Sequence, residues 1–150
     1  MHIMADLPTP EHLDDQRYAR FHKDVYLPAN IVRGVFDFLP DSGVELRLSQ
    51  HYQRIMESRH LPPSIIMPKD FEIIDVTIVR ETWAVFRTCI RFDWPGRRFD
   101  FVLVIEGDYE ALTGYWNSKE DRHGSLDTEG YERPPEDIYW NKPDEEVPYD

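Results

Sequence analysis

The feature that most limits what this chain can fold into is a change of period near residue 71. From Phe71 to Trp116, apolar and polar residues alternate in four runs: Phe71–Arg80, Trp83–Phe92, Arg98–Glu106 and Tyr109–Trp116. Successive side chains of a strand point to opposite faces, so a period of two reads as half-buried β-structure. The runs are joined by Glu81-Thr82, by Asp93–Arg97 (DWPGR) and by Gly107-Asp108. Connections this short leave no room for the crossover that parallel neighbours need, so the four strands form an antiparallel meander. The apolar phase slips between Ile73 and Ile74, which marks a β-bulge.

Upstream the spacing is helical. Thr9-Pro10-Glu11 supplies an N-cap, a proline at the first helical position and an acid in the first turn, predicting a helix over 9–26. Pro28 restricts Leu27 and stops it there. Its stripe (Leu13, Tyr18, Phe21, Val25) is thin and suits packing on the surface of the domain. A second helix is expected from Pro28 to Leu39, with Ile31, Val32, Val35, Phe36 and Leu39 at helical spacing. Pro40–Gly43 is a turn and Val44–Leu48 a short edge strand. Ser49 caps a third helix, Gln50–Arg59, burying Tyr52, Ile55 and Met56, with His51, Arg54 and Ser58 on an adjoining side.

These elements predict an α+β fold: a mostly antiparallel sheet of four to five strands with two to three helices packed on one face. With 150 residues, 41% of them apolar, the chain can bury one core. The domain is expected over 9–131, between a flexible N-terminus (1–8) and an acidic, proline-rich C-terminal tail (132–150). Within that tail Tyr139 and Trp140 offer points of attachment.

The net charge of −12 argues against broad, non-specific nucleic-acid binding. The excess is uneven, however. Residues 51–123 carry 12 acids and 10 bases, whereas residues 124–150 carry 9 acids and 2 bases. A nearly balanced middle leaves room for a small RNA site. There is no apolar run of about 18 residues and no basic-then-apolar leader, so neither a membrane span nor a secretory signal is expected. The single cysteine, Cys89, has no disulfide or zinc partner, which fits a reducing cytoplasm. Walker, dinucleotide-binding, H-E-x-x-H and G-x-S-x-G signatures are absent. His51, His60 and His123 lack helical ligand spacing, so no metal and no cofactor are expected.

Two clusters invite a functional reading. In the second strand Ala84, Phe86, Thr88, Ile90 and Phe92 face the helices, and Trp83, Val85, Arg87, Cys89, Arg91 and Asp93 face away. The two arginines either hold a phosphate backbone or pair with acids such as Asp75 or Asp100 on neighbouring strands. After the last strand, which is expected to break at Asn117-Ser118, come Asn117, Lys119, Asp121, Arg122, His123, Ser125 and Asp127. This is more hydrogen-bonding capacity than a turn requires, in either a functional loop or a solvated one.

The layout, the helix His51-Tyr-Gln-Arg54-Ile-Met-Glu-Ser-Arg59 and the terminal stretch YWNSKEDRHGSLD together resemble the small α+β ribonuclease-type domains of the barnase, EndoU, colicin and RelE-like superfamily, many of them toxins. The resemblance covers about Val44 to Tyr131. It implies metal-independent RNA cleavage by general acid–base catalysis. His51 and His123 would act as acid and base, with Arg87 and Lys119 stabilising charge. Arg54, Arg91, Tyr115, Trp116, Asn117 and Arg122 would contact the RNA. Tyr115 and Trp116 fall on opposite strand faces, so one cleft takes both only if the strand twists or ends between them. A nuclease requires His51, His123 and an arginine to converge in one pocket. The rival is a non-catalytic acidic protein-binding module, of inhibitor, immunity or nucleic-acid-mimic type, with scattered histidines and a wide acidic face. The partner would be RNA in the first case, and an antitoxin or an inhibited target is the protein partner open to such a chain.

Overall fold

The computed structural model describes residues 16–121 and 130–135. The elements are β1 (Tyr18–His22), α1 (Ala29–Phe38), β2 (Arg47–Leu48), α2 (Gln50–Met56), β3 (Glu72–Val79), β4 (Val85–Asp93), β5 (Phe99–Glu106) and β6 (Glu110–Ser118). The six strands form one sheet in the order β1-β3-β4-β5-β6-β2. The meander β3–β6 is antiparallel throughout, and β1 adds antiparallel to β3. The short β2 lies parallel to β6 at the far edge. The α+β architecture is as expected, with six strands, one parallel pair and two helices among the described residues. None of those helices is long and apolar enough to cross a membrane.

The first element departs from expectation. Where a helix over 9–26 was predicted, Tyr18–His22 is a strand, paired with β3 from Tyr18↔Val79 to His22↔Asp75; the start of the predicted helix, Thr9-Pro10-Glu11, lies outside the described residues. The thin stripe at Tyr18, Phe21 and Val25 hides a five-residue alternation in which Ala19 and Phe21 are buried at 3% and 5% exposure. In a strand these two face the core while the backbone satisfies the open edge of β3, which a helix would leave unpaired.

Other boundaries shift for local reasons. Trp83 and Tyr109 belong to turns rather than strands, at φ 62° and 58°. The last strand continues through Asn117 and Ser118 instead of breaking there, because they pair with Asp100 and Phe99. The bulge appears where the phase slipped, as a register shift between Ile73 and Asp75. A second shift, between Thr77 and Ile78, reverses the expected faces at the start of β4, so that Val85 packs on the main core and Phe86 meets Tyr18. Ser49 does cap α2, its Oγ accepting from Tyr52 N at 2.9 Å. That helix closes with Leu61 N bonded to Met56 O at 2.9 Å and His60 N to Glu57 O at 3.2 Å, with His60 at φ 55°. This pairing is a Schellman ending, and it turns the His60 carbonyl away from the helix ladder.

One face of the sheet carries the main core. Ile31 and Val35 of α1 and Tyr52 of α2 meet Val76, Ile78, Ile90, Phe101, Leu103 and Ile105. Burying each such aliphatic side chain contributes about 1.5–3 kcal/mol. Gly114 is required here: a Cβ would lie 2.7 Å from Phe101 Cζ, so only a glycine lets the ring lie over β6. The opposite face has a smaller apolar patch of Ile74, Cys89, Val102, Val104 and Leu112, surrounded by polar groups.

Candidate functional site

The sheet face opposite α1 and α2 holds the two arginines of β4, and both are paired with acids. Arg87 is 2% exposed; its Nε donates to Glu106 Oε2 at 2.9 Å, and its Nη2 forms an ion pair with the same oxygen. Arg91 is 4% exposed and donates from Nε to Asp100 Oδ2 at 2.8 Å and from Nη2 to Ser118 O at 2.6 Å. Its Nη1 reaches Asp121 O. The cross-strand register Arg87↔Glu106 creates the first pair directly. In the second, Asp100 and Arg91 sit two positions apart across the β4–β5 ladder, since Arg91 pairs with Val102. Lys119 joins the second network, donating to Asp93 Oδ1 at 2.7 Å and Asp100 Oδ1 at 2.6 Å. Burial pushes the Asp100 carboxyl up, but hydrogen bonds from Lys119 and Arg91 outweigh it and hold the group below its ordinary value.

A second polar cluster lies towards β1. The Tyr131 hydroxyl donates to Asp75 Oδ2 at 3.0 Å and accepts from Arg20 Nη2 at 3.0 Å. The Arg20 guanidinium also lies 4.5 Å over the Tyr131 ring. His22 meets the same ring edge-on, with centroids 5.0 Å apart. Burial raises the Asp75 carboxyl, against the pull of Arg20, Tyr131, His22 and Arg87. The same cause lowers His22 and drives Cys89 well up. Glu132 continues the attachment through its N–H to Arg20 O at 2.7 Å and its carboxylate to Arg80 Nη2 at 2.6 Å.

The remaining expected residues are divided between faces. Tyr115 packs against the apolar patch of the face opposite α1 and α2, and its phenol is raised by burial. Trp116 packs on the helical side, donating from Nε1 to His60 O at 3.1 Å. Asn117 pairs with Asp100 in the ladder. His51 and Arg54 belong to α2, which packs on the helical side through Tyr52, Ile55 and Met56. The sheet therefore stands between α2 and the Arg87 and Arg91 side chains, so the expected grouping of His51 with these arginines is not assembled. Arg122 and His123 lie outside the described residues.

What α2 does offer is a pair. His51 and Arg54 are three positions apart on one helix, a spacing that brings side chains within about 5–6 Å at Cβ. Arg54 is exposed and, with Gln50 and Gln53, lines a shallow groove of about 290 Å³. Among the described residues no three His, Cys, Asp or Glu side chains gather as a metal cage.

Sequence reasoning passed over Trp94, Arg97, Arg98 and Phe99. The DWPGR segment read as a turn, and turn residues hide which way their neighbours point. The usable signal was the R-R-F triplet that follows Trp94 and opens the strand before the one carrying Trp116. Comparison of the chain with protein-family models, with curated proteins and with solved structures finds no match.

Proposed function

We propose that the protein acts on RNA as a small ribonuclease-type enzyme, with His51 and Arg54 as its working pair. The observation that carries this reading is the placement of an imidazole and an exposed guanidinium three residues apart on α2, the guanidinium lining an open groove with the amides of Gln50 and Gln53. An imidazole titrates in the range needed to take a proton from a ribose 2′-hydroxyl or return one to the leaving 5′-oxygen. A neighbouring guanidinium matches the charge that builds on the phosphorane. Arg87, Arg91 and Lys119 are left out of the phosphate site in this reading, since each is paired with a carboxylate.

The test is incubation of the protein with total RNA, beside His51→Ala and Arg54→Ala. Cleavage should fall by about 10²–10⁴-fold on loss of the imidazole. Cleavage unchanged in His51→Ala, or absent at high protein concentration, removes the assignment.

One observation favours the rival reading, a non-catalytic acidic protein-binding module. Arg87 and Arg91, on the face opposite α1 and α2, are paired with carboxylates of the chain itself, whose net charge is −12. That reading gains if no RNA is cut and the protein instead binds a basic protein surface with steep salt dependence.

A further inference from the structure

The turn between β4 and β5 and the end of β6 form a surface that the α2 pair does not use. Phe92, Trp94, Phe101 and Trp116 make a continuous aromatic cluster on the helical side. Its centroid spacings are 5.4 Å for Trp94–Phe101, 4.9 Å for Phe101–Trp116 and 5.9 Å for Trp94–Trp116. The Arg97 guanidinium lies 4.0 Å over the Trp116 ring. Arg97 Nη2 and Trp116 Nε1 both donate to the His60 carbonyl, at 3.4 and 3.1 Å. The Schellman ending of α2 presents that carbonyl, so guanidinium and indole are held together by a fixed acceptor.

Arg97 and Arg98 are exposed and have no carboxylate partner among the described residues. Lys23, Arg80, Arg87, Arg91 and Lys119 all have one. Beside them Phe99 is 46% exposed, a large apolar side chain left in water at a strand end.

We propose that this end of the sheet binds single-stranded RNA. An unpaired base stacks on the outer side of the Arg97 guanidinium, which lies over the Trp116 ring. A second base stacks on Phe99, and Arg98 takes the intervening phosphate. Stacking on aromatic rings and guanidinium planes is how unpaired bases are held, and it needs no sequence-specific hydrogen bonds. A duplex, with its bases already stacked, gains nothing here. The inference rests on the reading that RNA is the substrate. It also gives that reading a direction, because α2 leads from the Arg54 groove through its C-terminal turn to the His60 carbonyl.

The test is fluorescence anisotropy with a labelled, unstructured oligoribonucleotide, with duplex RNA as the comparison probe. The wild type should prefer the single strand. Arg97→Ala and Phe99→Ala should each weaken binding by about 10-fold, and Arg98→Ala should reduce its salt dependence. Arg97→Lys keeps the charge but loses the plane, and should weaken binding nearly as much as alanine. His51→Ala should bind within about twofold of wild type, because the surface and the α2 pair are separate. Binding without cleavage supports this surface and removes the catalytic assignment. Cleavage whose KM is unmoved by Arg97→Ala and Phe99→Ala supports the α2 pair and overturns this surface. Wild-type binding in both alanine variants, or equal affinity for duplex, also overturns it.

Discussion

Tyr131 and Asp75, far apart in sequence, share a buried hydrogen bond of 3.0 Å from the phenol to Oδ2. Asp75 is 8% exposed and Tyr131 is 7% exposed. A carboxylate placed there without a donor bears the full cost of leaving water. The bond therefore ties residues 130–135 to the sheet through an acid that the sheet alone would hold poorly.

Removing that hydroxyl tests the tie. Tyr131→Phe keeps the ring against Arg20 and His22 but leaves Asp75 and Arg20 each short of a partner. The expected loss is about 1–3 kcal/mol of unfolding free energy, measured by urea titration. Combined with Asp75→Asn, the loss should be less than the sum of the two single changes. Full additivity would mean that the phenol and the carboxyl do not interact.

His22 should make the fold sensitive to mild acid. Burial lowers its pKa from 6.5, opposed by the charges of Asp75 and Asp24 and assisted by Lys23 and Arg20. The unfolded chain therefore binds a proton at His22 more readily than the folded one. The stability it contributes is complete above about pH 6.5 and is lost as pH falls below that value towards the depressed folded pKa. Thermal melting in matched buffers from pH 7.5 to 5 should show the decline. His22→Gln should flatten it, and an unchanged slope in that variant would assign the decline to other groups.

Arg91 should behave as a structural cation. Arg91→Ala strips Asp100, Ser118 O and Asp121 O of a shared donor. Asp100 keeps Lys119, so the cost is that of the lost hydrogen bonds and packing, about 1–3 kcal/mol, and a measurable fall in melting temperature is expected. On the proposal that the protein binds RNA, the affinity of the variant, measured where it is still folded, should match wild type. A selective loss of affinity with normal stability would return Arg91 to the phosphate-binding role.

Thr113 offers a change in the opposite direction. Its Oγ1 is buried and finds no hydrogen-bond partner among the described residues. Thr113→Val keeps the shape and removes the unsatisfied hydroxyl, so stability should rise by about 1 kcal/mol, read from the denaturation midpoint. A loss instead would reveal a partner for the hydroxyl.

The meander was legible in the sequence because alternation over Phe71–Trp116 is long, and its short connections admit one topology. The two helices were legible from their stripes, and α2 also from its Ser49 cap. Tyr18–His22 was not. Five residues fit a helical stripe and a strand equally well, and the open edge of β3 decides between them. The site was less legible than the fold. The strand-face assignment of Arg87 and Arg91 was correct, yet only the register with Glu106 and the position of Asp100 show that both are neutralised. Arg97 meets Trp116 across the sheet end, and no local pattern announces that contact.

The strand order has a consequence for how the chain assembles. The two outermost strands, β1 and β2, come first off the ribosome, yet their neighbours β3 and β6 are made much later. Tyr18 has to wait for Val79, and Arg47 for Glu110. The C-terminal meander, with its hairpin-length closures, is thus the part able to nucleate, and the early strands dock onto a finished template.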